Sequence, residues 1–283
     1  MPEVPGLASR NLPGMMHALR DTGKRTAGWL VSRAVPQYRF ENGLFILAHM
    51  RCGSTALSNI LCSRPDISGY GEAHVRYEGR ADLGQLALNQ MRRGGWELQA
   101  SHLFDKILHS RYDSAVPPEF FTARAIFLVR RPGDAILSIV RLFCRLGKNE
   151  YRTQDEAADY YIERLTALEA LWHRFPAERR IGLTHEALVR DPERALAAIS
   201  AGLELQPPLV NRYASLAASR RGGGGDPLKS GQFTRIERLR HELPADALLD
   251  LAGSRAEECE ELYLRLYRLF TGRESTALRK VHP

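Results

Sequence analysis

Three short apolar runs, Phe45-Ile46-Leu47-Ala48, Ala125-Ile126-Phe127-Leu128-Val129 and Ile181-Gly182-Leu183-Thr184, punctuate a chain that is otherwise patterned at helical spacing. The continuous run at 125–129 is typical of a buried parallel strand, and the other two predict an apolar strand and a short strand. A further strand is expected within 98–108, at Leu98-Gln99-Ala100-Ser101-His102-Leu103-Phe104. Amphipathic stretches predict helices over about 54–63, 81–92, 132–146, 155–175, 192–203 and 253–270. Pro65-Asp66 marks a turn, Gly94-Gly95 stops the second helix, and Pro132-Gly133-Asp134 suits the first turn of the third. Strands alternating with helices predict an α/β fold with a central parallel sheet flanked by helices.

The first strand runs into Met50-Arg51-Cys52-Gly53-Ser54-Thr55-Ala56-Leu57, a tight loop opening a helix. Backbone N–H groups at such a start, with the helix dipole behind them, form a cradle for an anionic phosphate. The Gly-Lys-Ser/Thr ending of a Walker loop is missing, and Arg51 stands ahead of Gly53. By shape alone the segment is equally an ordinary strand-to-helix turn.

Composition narrows the ligand. The 283 residues carry a net charge of +7, which suits an anionic ligand, an acidic substrate or a nucleic acid. No basic module interleaved with aromatic residues is present, so nucleic acid is not expected. The four cysteines, Cys52, Cys62, Cys144 and Cys259, show no metal-ligand spacing and suggest a reducing, cytoplasmic setting. Beside Arg51, Cys52 could be a nucleophile, but with no base obviously paired with it, a small loop-filling residue is the simpler reading. No run is long and apolar enough to span a bilayer. Residues 1–40 read as a basic, helical extension with apolar patches at Met15–Leu19 and Trp29–Val31. It would pack on a single domain covering 41–283, serve as a partner-binding arm, or touch a membrane peripherally.

Four separated segments, in order, match the pattern of PAPS-dependent sulfotransferases, whose donor is 3′-phosphoadenosine 5′-phosphosulfate. Arg51-Cys52-Gly53-Ser54-Thr55 resembles that family's 5′-phosphosulfate loop, with Cys52 in place of the usual serine. Arg130-Arg131-Pro132-Gly133-Asp134-Ala135-Ile136-Leu137-Ser138 is similar to its 3′-phosphate motif, an arginine at a strand end and a serine eight residues on. Leu183-Thr184-His185-Glu186-Ala187-Leu188-Val189-Arg190-Asp191-Pro192 resembles the family's Tyr-Glu-Asp-Leu segment, with His185 where the adenine-contacting tyrosine stands. Arg220-Arg221-Gly222-Gly223-Gly224-Gly225-Asp226-Pro227 resembles the family's glycine-rich loop, although by composition alone it is a flexible linker.

The resemblance implies a P-loop-like three-layer sandwich and transfer of a sulfuryl group from PAPS, leaving PAP, with no metal. It places the 5′ end on Arg51, Cys52, Gly53, Ser54, Thr55 and Ala56. The 3′-phosphate falls to Arg130, Ser138, Arg220, Arg221 and Gly222, the adenine to His185, and a lid to about 211–236. Arg51 and Lys106 are the expected catalytic cations. Glu72, in a Pro-Asp…Gly-Glu run, is the first choice of base; His109 is second, and His74 and His102 are further candidates. The acceptor, whether small molecule, lipid, glycan or tyrosine, is not legible, nor is the oligomeric state. Two alternatives stay open: a P-loop-type nucleotide-dependent kinase and a non-catalytic PAP-binding or nucleotide-binding protein.

Overall fold

Strand β1 (Gly43–Ala48) lies in the middle of a five-stranded sheet, and all six of its residues are buried, so both faces of the sheet are covered. The computed structural model describes residues 26, 28–30, 33, 37–214, 232–237 and 249–272. After β1 the chain forms α1 (Ser54–Cys62), β2 (Ile67–Ser68), α2 (Arg80–Arg93), β3 (His102–Ile107), β4 (Arg124–Val129), α3 (Pro132–Arg145) and α4 (Gln154–Arg174). It continues with β5 (Arg180–Thr184), α5 (His185–Arg190), α6 (Pro192–Gly202) and α7 (Gly253–Thr271). The strand order is β2-β3-β1-β4-β5, and every neighbouring pair is parallel. This is the flanked parallel sheet that the alternating pattern predicts. β1 sits between strands that come later in the chain, so its loop opens where the winding reverses, the usual ligand crevice of such sheets.

Aromatic packing fixes the layers. On one side Phe45 stacks on Phe120 at 4.9 Å, with Tyr77 5.2 Å from Phe45. Phe127 of β4 meets Trp172 of α4 edge-on at 5.2 Å. Each such fully buried ring contributes about 1.5–3 kcal/mol relative to exposure. Helix α7 closes on β5 because Gly182 has no side chain: a Cβ there would sit 2.2 Å from the Phe270 ring.

Two local differences from the sequence reading have physical causes. The strand expected at 98–104 is His102–Ile107 instead, because the register that pairs 103–107 with β1 buries Leu103 and Phe104 while Leu98 stays 62% exposed. β2 has only two residues, too few to produce a periodic signal. Arg220, Arg221 and Gly222 lie outside the described residues, as does most of the extension 1–40. The two ends of the 211–236 segment do meet: Asn211 Oδ1 accepts from the Ile236 amide at 2.7 Å, and the Tyr213 amide donates to the Thr234 carbonyl at 2.7 Å.

Candidate active site

Because all the strands are parallel, the loops after β1, β3, β4 and β5 leave from one edge of the sheet. Those loops carry Arg51, the segment following Lys106, Arg130 and His185. The β1 loop makes its turn with two left-handed residues, Arg51 at φ 65° and Gly53 at φ 91°. Glycine adopts that conformation freely, whereas arginine does so at a cost of about 1–2 kcal/mol. A Cβ on Gly53 would also lie 2.8 Å from His185 Nδ1, so the imidazole sits directly on this glycine. His185 Nδ1 donates to the Cys52 carbonyl at 3.0 Å. Cys52 is wholly buried, its thiol donates to the His49 carbonyl at 2.9 Å, and burial pushes its pKa up. It is a loop-filling residue.

Arg51 Nε donates to Ser138 Oγ of α3 at 3.0 Å, and Arg130 Nη1 donates to the Arg51 carbonyl at 3.1 Å. Arg51, Arg130 and Ser138 therefore form one group. Arg130 Nε is buried without a hydrogen-bond partner among the described residues, and Asp134 approaches Nη2 only to 4.0 Å. Glu186 accepts from the Arg131 amide at 3.1 Å and from Tyr263 OH at 3.2 Å, tying α5 to α7.

Lys106 is nearly fully buried at the end of β3, and its Nζ lies 3.3 Å from both Thr55 Oγ1 and Glu72 Oε1. Lys106 thus links Glu72 to Thr55, in the first turn of α1 after the β1 loop. The neighbours of Glu72 are fastened to β3: the Lys106 amide donates to the Gly71 carbonyl at 3.1 Å, and the Ala73 amide donates to Asp105 Oδ1 at 2.8 Å. Asp105 also accepts from Tyr77 OH at 2.7 Å; its burial raises its pKa to about 7. Glu72 Oε2 lies 3.4 Å from Nε2 of His74, a half-exposed residue at φ 54°. Glu72, His74, Val75, Lys106, Leu108 and Tyr112 line one cleft.

The remaining histidines separate. His109 packs against Tyr160 at 5.2 Å and Tyr112 at 6.4 Å, and burial with nearby Arg111 and Arg164 lowers its pKa to about 4. His102 begins β3, at the opposite end of the strand from Ile107, about 13 Å along the strand from Lys106 at ~3.3 Å per residue. His102 therefore stands apart from Glu72 and Lys106.

Three features escaped the sequence reading. His49 is fully buried; its Nε2 accepts from the Arg130 amide at 2.9 Å, and its Nδ1 donates to the Met50 carbonyl at 2.7 Å. Arg164 of α4 is fully buried, paired with Asp113 through two 2.8 Å bonds, and donates to the Ala48 and Ile107 carbonyls at 3.0 and 2.9 Å. Tyr160 and Tyr161 reach the same strand ends. The signal for Arg164 is its place inside the apolar stripe of Ala157, Tyr161, Leu165 and Leu168, where a charge requires a buried partner. His49 carries no such signal.

Among the described residues no helix is long and apolar enough to cross a membrane, and no group of three His, Cys, Asp or Glu side chains could hold a metal ion. Residues 80–208 match the model of the Sulfotransferase family, a span that includes Lys106, Arg130, Ser138 and His185 and begins after Arg51 and Glu72. No curated protein matches the chain. The fold is similar to the sulfotransferase domain of the Synechococcus PCC 7002 olefin synthase, with 19% identity, a TM-score of 0.50, and coverage of 78% of this chain and 94% of that one. It is likewise similar to the sulfotransferase domain from the curacin biosynthetic pathway, with 17% identity, a TM-score of 0.50, and coverage of 78% and 96%. The chain is thus similar to the sulfotransferase family over residues 80–208, and its fold is similar to that of these two sulfotransferase domains.

Proposed function

We propose that the protein transfers the sulfuryl group of PAPS to a hydroxyl or amine of an acceptor, releasing PAP. The observation that carries this reading is the joining of Arg51, Arg130 and Ser138 at one sheet edge, with the buried Arg130 Nε left without a described partner. A guanidinium with an unused donor suits phosphate oxygens. The residues present fit the donor: the β1 loop would take the 5′-phosphosulfate, and Arg130 with Ser138 the 3′-phosphate. Arg220, Arg221 and the Gly222 backbone complete the 3′ grip in this reading, and His185 contacts the adenine.

Sulfuryl transfer resembles phosphoryl transfer in needing alignment and charge stabilisation more than covalent chemistry. Arg51 and Lys106 supply positive charge where the leaving phosphate develops its negative charge. Glu72 accepts the proton of the acceptor, and its place beside Lys106 and the β1 loop supports that role. His109, turned onto Tyr160 and Tyr112, is the weaker choice. The reaction proceeds in a cytoplasmic enzyme in this reading, with the domain spanning 41–283 and the extension packed on it.

Competition binding together with transfer of labelled sulfate from PAPS to a panel of phenols, glycans, lipids and tyrosine peptides tests the proposal. PAP binding much tighter than ATP, with label moved to an acceptor, is expected. ATP displacing PAP would indicate a nucleotide-dependent kinase. PAP binding without transfer to any acceptor would indicate a non-catalytic nucleotide-binding protein.

A further inference from the structure

Two adjacent tyrosines on α4 hold the two halves of the site by different bonds. Tyr160 OH accepts from the Met50 amide at 2.8 Å and donates to the Leu108 carbonyl at 2.7 Å. One oxygen therefore joins the residue before Arg51 to a residue of the Glu72–Lys106 cleft. Tyr161 OH donates to the Arg130 carbonyl at 2.7 Å, and its ring lies edge-on to His49 at 4.9 Å. His49 in turn accepts from the Arg130 amide, so both backbone polar groups of Arg130 are fastened. All these groups are buried or nearly so, and a backbone group that loses its partner there must move or take in water.

The geometry points to a division of labour: Tyr160 is a positioning residue for the transfer end of the site, and Tyr161 one for the 3′-phosphate end. The inference rests on the sulfotransferase reading above. Arg51 follows Met50 immediately and is held in a left-handed conformation, which persists only where its surroundings fix it. Without the Tyr160 hydroxyl, the Met50 amide and the Leu108 carbonyl are both released, and the distance between the β1 loop and the Lys106 cleft is no longer fixed. A misplacement of about 1 Å at a reacting centre lowers the rate on the order of a hundredfold. Without the Tyr161 hydroxyl, the carbonyl of Arg130 is released while Met50 and Leu108 stay tied. The two losses should then fall on different kinetic parameters.

Tyr160→Phe and Tyr161→Phe each remove a single oxygen and keep the ring. PAP affinity is measured by calorimetry, and transfer is read as release of labelled sulfate from saturating PAPS with water as the acceptor. For Tyr160→Phe, the rate should fall at least about tenfold while PAP affinity stays within about threefold, the pattern of an interaction that matters mainly in the transition state. For Tyr161→Phe, PAP affinity should fall at least about fivefold while the saturated rate stays within about threefold, the pattern of a loss of binding alone. Thermal melts establish that each variant is folded; if Tyr160→Phe is not, Tyr160→His, which keeps a ring and a polar atom, is measured in its place. Both variants moving both parameters alike would show only a shared structural role and overturn the inference, as would wild-type values in either variant. A wild-type protein that neither binds PAP nor releases sulfate would overturn the sulfotransferase reading itself, and the inference with it.

Discussion

Nε of Arg51 donates to Oγ of Ser138 at 3.0 Å, joining the loop after β1 to α3 across 87 residues of sequence. Two motifs that are each unremarkable alone thereby share one crevice, with Arg130 bonded to the carbonyl of Arg51 beneath them. In the proposed reading, the donor would meet both guanidinium groups together.

Arg130→Ala should weaken PAP binding by roughly 10- to 100-fold, since a hydrogen bond to a charged group contributes about 1.5–3 kcal/mol. Calorimetric titration with PAP checks this, and the variant's affinity should also depend less on salt than that of the parent. An unchanged affinity would remove Arg130 from the phosphate site.

Glu72→Gln keeps the shape of the side chain and removes its basicity. Turnover is expected to fall by about 10²–10⁴, the range of general-base contributions, with PAP affinity little changed. Rate and affinity measured on one preparation separate the two, and equal activity would exclude Glu72 as the base.

Gly53→Ala places a Cβ 2.8 Å from His185 Nδ1 and asks alanine to adopt φ 91°. A loss of stability of about 1–2 kcal/mol from the backbone alone is expected, with further loss from the clash. In the double variant with His185→Ala the clash disappears and the backbone term remains, so urea unfolding should show partial recovery. Full recovery would mean that the left-handed conformation costs nothing here.

Asp113→Asn leaves Arg164 as a buried charge without its carboxylate. Breaking a buried pair in this way costs about 3–5 kcal/mol, readable in the urea midpoint. A shift below about 1 kcal/mol would show that the Ala48 and Ile107 carbonyls suffice to hold the guanidinium.

Acid should weaken the fold through His49. Burial lowers its pKa from 6.5 to about 3, so at pH values between these the unfolded chain binds a proton that the folded chain does not. Its stabilising contribution is thus present above about 6.5 and is lost progressively as pH falls toward 3. Asp105, raised to about 7, acts in the opposite sense, since the folded form then holds its proton more tightly. Comparing unfolding free energies of wild type and His49→Gln from pH 7.5 to 5 cancels Asp105, and the wild type should show the steeper decline. Parallel curves would contradict a neutral, buried His49.

What the sequence by itself determined were the elements whose signal is local. β1 and β4 read as apolar runs, the long helices as amphipathic stretches, and the turn at Gly94 as a helix stop; all stand within a few residues of expectation. The Arg51–Thr55 loop, Arg130 and Ser138 were singled out by resemblance to family motifs rather than by local shape, and it is the fold that joins Arg51 to Ser138 and Arg130 to Arg51. The start of β3 was misread because Leu98 is as apolar as Leu103, and only pairing with β1 decides which is buried.

Tertiary structure decided the rest. No local pattern says that Glu72 meets Lys106 or that His102 ends up at the far end of its strand; parallel register does. His49, Tyr160, Tyr161 and Arg164 act through backbone carbonyls and amides of residues distant in sequence. Backbone groups are the same at every residue, so the sequence cannot mark them as partners, and only the folded chain brings a particular side chain to a particular peptide.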